Sequence, residues 1–158
     1  MMSEETAAGT PGRIEKQITV HAPQSRVWRA LTEASQFGAW FGARLAPGTF
    51  TPGARVRGPM TIPGHEHFTL DLTVERVEPE RYLSYRWHPY ADPALDLSAE
   101  PLTLVEFRLE AAGGGTRLTV VESGFDRLPG ARRVSVFPLH ESGWVQQLEN
   151  VARHVTAG

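Results

Sequence analysis

The sequence predicts an α+β domain: a curved antiparallel sheet of about six or seven strands, two short helices after the first strand, and a long C-terminal helix covering the sheet. Three observations predict it. Runs of alternating apolar residues fill the middle of the chain, and Gly and Pro fall between those runs. Near the end, Trp144, Leu148, Val151 and Val155 repeat at i, i+4, i+7 and i+11, which is one stripe of a helix.

Taken in order, RIEKQITVHA reads as the first strand, with Ile14, Ile18 and Val20 on one face. Pro23 suits the first turn of a helix, where its missing N–H costs nothing. Val27, Trp28 and Leu31 give that helix a short buried stripe, and TEASQFGAWF follows as a second helix ending in Phe37, Trp40 and Phe41. Strands are then expected in GARVRGPMTI, HEHFTLDLTVERV, RYLSYRWHPY, LTLVEFRLEA and TRLTVVESGF. Turns fall at Pro63-Gly64, at Glu78-Pro79-Glu80 and at Gly113-Gly114-Gly115, and residues 89–101, rich in breakers, are expected as a surface loop. Pro138 argues against one uninterrupted helix from about residue 131, because an interior proline loses a hydrogen bond and clashes with the preceding turn. A kink or two consecutive helices is expected there.

The length of 158 residues suits one domain, with residues 1–12 expected as a disordered tail and 13–158 as the folded unit. The sequence has no cysteine, its N-terminus is not signal-like, and no run approaches the roughly 18 apolar residues of a membrane span. The cytoplasm is the expected compartment, without membrane insertion. Net charge is −2 with the signs interspersed, and Arg132-Arg133 is the densest basic cluster, which argues against a nucleic-acid partner. A homodimer is left open.

The segment HAPQSRVWRALTEASQFGAWF resembles the opening of the SRPBCC (START-like) superfamily, in its branch named for activators of the heat-shock ATPase. RWHPY, EPLTLVEFRLE, GGGTRLTVVESGFDRLP and ESGWVQQLENVARHV follow in matching order, so the resemblance covers about residues 13–156. It implies a helix-grip fold, a bent sheet wrapped around the C-terminal helix with a hydrophobic ligand held between them. Some members of the superfamily carry lipids and others are aromatase/cyclases acting on polyketides; this branch mostly has no assigned reaction. Pro138 departs from the pattern, with a bent helix and an altered cavity mouth as the expected consequence.

Strand alternation then assigns the candidate site. Leu83, Tyr85 and Trp87 point inward on one strand; Trp40, Phe41, Phe107, Phe125 and Trp144 can face the same interior, with Val120 and Leu148 completing the lining. This set suits an aromatic ligand, although plain core packing explains the same residues. Glu122 shares a face with Leu118 and Val120, opposite Thr119, Val121 and Ser123. Turned into an apolar cavity, its carboxyl is expected to have a raised pKa, as a general acid or base would. His140, one helical turn before Trp144, and Tyr85 are the expected partners. His65 and His67 fall on the polar face with no third ligand in prospect, so no metal site is assigned, and Glu106 is expected to face outward and pair with an arginine.

The sequence therefore leaves three functions open. The first is a binding module for a small hydrophobic, aromatic ligand, with no cofactor. The second is a cofactor-independent cyclase/dehydratase or hydrolase using Glu122 and His140. The third is a co-chaperone-type interaction module, suggested by the name of the branch.

Overall fold

The computed structural model of the chain describes residues 12–90 and 96–157. Six strands form one sheet: β1 (Arg13–Val20), β2 (Arg55–Pro59), β3 (Thr69–Glu78), β4 (Tyr82–Trp87), β5 (Thr103–Ala112) and β6 (Gly115–Ser123). Their order is β1-β6-β5-β4-β3-β2, and every pair is antiparallel. Two short helices, α1 (Gln24–Thr32) and α2 (Ala34–Phe41), lie between β1 and β2, the two edge strands. The chain ends in α3 (Gly130–Thr156), packed against β1, α1 and α2. This is the α+β helix-grip architecture.

Local chemistry explains the joints. Pro23 stands one residue earlier than expected, as the extended residue before α1, and its carbonyl accepts from the Arg26 and Val27 amides. The β5–β6 hairpin closes at the pair Ala112–Gly115, leaving Gly113 and Gly114 as a two-residue turn. Both have positive φ, 54° and 85°, as a primed turn requires, and glycine meets that without steric cost. In β3 the register shifts between Val74 and Arg76. That bulge lets both Val74 and Val77 turn toward the core while Arg76 faces away.

Two expectations are corrected. The strand expected from His65 begins only at Thr69; residues 65–68 form a turn closed by the Phe68 amide donating to the His65 carbonyl. His65 and His67 instead lie beside the Phe68 ring, with centroids 5.8 and 4.1 Å away. The second concerns Pro138: of the kink or two consecutive helices expected there, the division into two does not occur, and α3 runs unbroken through the proline. The amide hydrogen bond that Pro138 cannot make would have gone to the carbonyl of Val134, a residue 74% exposed, where solvent can satisfy it.

The core sits between the concave face of the sheet and the three helices. Leu70, Leu72 and Val74, then Leu83, Tyr85 and Trp87, then Val105, Phe107 and Leu109, then Leu118 and Val120 line that face from strand to strand, all buried. The α3 stripe meets them through Trp144, Leu148, Val151 and Val155, and it extends toward the N-terminus through Val136. Val121 is also buried although it faces the other way, between Glu15 of β1 and Glu106 of β5. Outward-facing Glu106 accepts a hydrogen bond from the Tyr82 hydroxyl and lies 3.5 Å from Arg108. The tail expected over residues 1–12 lies outside the described residues except for Gly12, as do residues 91–95 of the expected loop.

Candidate functional site

Glu122 is completely buried on the concave face, in one row across the sheet with Val105, Tyr85 and Val74. Among the described residues, four donors converge on it from three elements. Oε1 accepts from Trp144 Nε1 on α3 at 2.8 Å and lies 2.7 Å from His140 Nδ1 on the same helix. Oε2 accepts from Trp87 Nε1 on β4 at 2.9 Å and from Thr103 Oγ1 on β5 at 2.6 Å. Two bonds per oxygen exhaust what a carboxylate ordinarily accepts.

The tautomer of His140 follows from its second contact. Nε2 lies 2.6 Å from the carbonyl oxygen of Pro89, which can only accept, so Nε2 carries a proton. The remaining question is which group holds the proton between Nδ1 and Oε1. Burial pushes the Glu122 carboxyl up, but the bond and charge of His140, then the bonds from Thr103 and Trp87, outweigh it and hold its pKa below the ordinary 4.5. Burial likewise pushes His140 down, yet the bond and charge of Glu122, with the Pro89 carbonyl behind them, raise its pKa above the ordinary 6.5. Both directions favour imidazolium and carboxylate, a buried ion pair. The raised carboxyl pKa expected from the sequence is therefore corrected, because burial competes with His140, Thr103 and Trp87 and loses.

Tyr85 does not join this network. Its hydroxyl is buried and has no hydrogen-bond partner among the described residues, and burial, with the Glu122 charge nearby, pushes its pKa well up. Val105 separates Tyr85 from Glu122 in the row, so the two backbones stand two strand spacings apart, about 10 Å. The expected Tyr85–Glu122 partnership is not formed.

The aromatic side chains form one array along the helix side of the sheet. Phe41 meets Trp87 at 5.8 Å between ring centroids, Trp87 stacks on Trp144 at 6.0 Å, and Phe107 meets Trp144 edge-on at 5.8 Å. Trp40 lies behind Phe37 and Phe41 and donates its indole N–H to the Ala30 carbonyl at 2.8 Å. Phe125 packs against Phe137 and His140 beyond the end of β6. Gly124, with φ at 101°, turns the chain there in the left-handed region that favours glycine. Val120 and Leu148 are buried in the same core.

Two open surface hollows lie elsewhere. One of about 610 Å³ is bordered by Arg76, Arg81, Tyr82 and Arg108, and one of about 250 Å³ by Pro47, Phe50 and Arg55. Between sheet and α3 the rings pack on one another. Over the His140 end, Arg132 of α3 reaches Glu100 with two guanidinium nitrogens, at 3.0 and 3.1 Å, and donates to the Tyr90 hydroxyl at 2.9 Å. That latch and the His140–Pro89 bond hold the segments flanking residues 91–95 onto the helix.

Two members of the network went unrecognised in the sequence. Thr103 begins the inward row Thr103, Val105, Phe107, Leu109, so alternation marks its face but not its partner. The Pro89 carbonyl is a backbone group in a loop and carries no side-chain signal. The two indoles were read as apolar lining, though a buried indole N–H ordinarily demands an acceptor. Among the described residues, no group of three or more His, Cys, Asp or Glu side chains is placed to hold a metal ion, and no helix is long and apolar enough to cross a membrane.

The model of the family described as "Activator of Hsp90 ATPase homolog 1-like protein" matches residues 21–156. The chain belongs to this family. DynU16, described as a protein in the dynemicin biosynthetic locus, is 29% identical with a TM-score of 0.67, over 91% of this chain and 47% of its own. The chain thus spans about half the length of that relative. Protein MLL2253 from Mesorhizobium loti is 25% identical, TM-score 0.71, over 92% of this chain and 97% of its own. CalU16 from Micromonospora echinospora shares the fold at 22% identity and a TM-score of 0.61, over 91% of this chain and 76% of its own. No curated protein matches the chain. Membership of this family supports a small-molecule-binding domain.

Proposed function

We propose that this protein binds a small, hydrophobic, aromatic molecule between the concave face of the sheet and α3. The observation that carries the reading is the aromatic array of Phe41, Trp87, Trp144, Phe107 and Tyr85, which is far richer in ring faces than aliphatic core packing needs. Phe41 at 8% exposure and Trp87 at 9% are its least covered members, so the ligand enters between the end of α2, the end of β4 and α3. Binding exchanges ring–ring contacts within the protein for ring–ligand contacts. Gln147 of α3, bonded to the Phe41 carbonyl at 3.0 Å, ties the two sides of that entrance.

In this reading Glu122 and His140 fix the wall of the site and do no chemistry. A carboxylate with every acceptor position taken and its pKa lowered is a poor proton acceptor, since it must first give up a bond. The cyclase/dehydratase or hydrolase alternative needs one of those four bonds to open on substrate binding, and a co-chaperone role draws on no feature of the site.

A thermal-shift screen of apolar aromatic compounds tests the proposal. Ligands are expected to raise the melting temperature in a concentration-dependent way. Uniformly unchanged melting across mono-, bi- and tricyclic aromatics would sink it.

A further inference from the structure

The inward face carries two kinds of polar group, and only one of them has hydrogen-bonding capacity to spare. The Glu122 oxygens each hold two donors, and His140, Trp87, Trp144 and Thr103 spend their hydrogens on that carboxylate or on the Pro89 carbonyl. Tyr85, fully buried on the same face, has no partner for its hydroxyl among the described residues. Ser84 is also without a partner, but strand alternation turns it to the other side of β4.

Buried hydroxyls are nearly always paired, and one left without a partner marks a place where a water or ligand atom belongs. The rings around Tyr85 argue against a resident water. Trp87 at 5.3 Å, Phe37 at 6.1 Å and Phe107 at 6.2 Å surround the phenol, whereas a buried water needs two or more polar partners to be held.

Resting on the binding reading above, we propose that Tyr85 is the polar anchor of the site and determines which aromatics it accepts. Its hydroxyl hydrogen-bonds the single oxygen of an otherwise apolar ring system, a phenol or a quinone-type carbonyl. A purely hydrocarbon ring leaves that hydroxyl unpaired, and the protein discriminates against it accordingly. The Glu122 cluster, whose carboxylate-bearing backbone stands two strands over and whose Trp87 ring lies next to Tyr85, faces the apolar body of the same ligand with indole rings and offers it no hydrogen bond.

The test compares 1-naphthol with naphthalene, by equilibrium dialysis, on the wild-type chain and on Tyr85→Phe. The anchor predicts that Tyr85→Phe weakens 1-naphthol about fivefold to tenfold and leaves naphthalene unchanged or slightly tighter. Tyr85→Phe should also unfold at the same or higher urea concentration than wild type, because nothing is lost when an unpaired hydroxyl is removed. Equal effects of the substitution on both probes would overturn the anchor while leaving the aromatic-binding reading intact. Clear destabilisation of the unliganded variant would also overturn it, by showing that the hydroxyl already has an internal partner. Failure of both probes to bind wild type would remove the aromatic-binding reading itself, and the anchor with it.

Discussion

Glu122 and Tyr85 occupy the same row of the sheet, equally buried, and they have opposite hydrogen-bonding fates. The carboxylate is met by donors from β4, β5 and twice from α3; the phenol is met by ring faces alone. Burial does not decide what a polar group does in an interior. Its partners do, and a saturated group serves as a fixture while an unsatisfied one is left available. On this basis the residue most resembling a catalyst in the sequence belongs to the frame of the site, and the residue resembling core packing is the one that can meet a ligand.

Breaking the saturated side should have the largest effect. Glu122→Ala strips four donors of their acceptor and leaves a buried imidazolium alone, which should cost about 4 kcal/mol in urea unfolding or prevent folding altogether. His140→Ala should cost less, about 3 kcal/mol, because Trp87, Trp144 and Thr103 still meet the carboxylate.

His140→Ala should also change the pH dependence of stability. Folded Glu122 lies below its ordinary 4.5, so its contribution is complete above that value and is lost as pH falls through the folded pKa. Folded His140 lies above its ordinary 6.5, so its contribution is complete below that value and is lost as pH rises through the folded pKa. The pair therefore stabilises most between pH 4.5 and 6.5, with losses on both sides. Removing the imidazole should flatten the alkaline loss in a series of unfolding curves. At the other extreme, Tyr85→Phe should leave the unliganded protein's stability unchanged or raise it by about 1 kcal/mol.

Much of this frame was legible in the sequence because it repeats. Period two set the inward faces of β4, β5 and β6, and a near-3.6 spacing set the α3 stripe, with His140 one turn before Trp144. What escaped depends on contacts between distant segments. The ionisation of Glu122 turns on an indole, a threonine and an imidazolium from three elements, so reasoning from burial alone gives the wrong sign for its shift. Whether Pro138 divides α3 depends on whether solvent reaches the Val134 carbonyl, which spacing does not reveal. The unpaired Tyr85 hydroxyl was invisible for the same reason: a missing partner shows only when every neighbour is placed.

The protonation state of the Glu122–His140 pair decides whether the carboxylate is a fixture, and nitrogen-15 NMR of the His140 ring reads it. At pH 7 both Nδ1 and Nε2 should give protonated shifts and stay protonated above the ordinary 6.5 of a histidine. An Nδ1 shift characteristic of an unprotonated nitrogen at that pH would show a neutral His140 and contradict the reading of the pair as imidazolium and carboxylate.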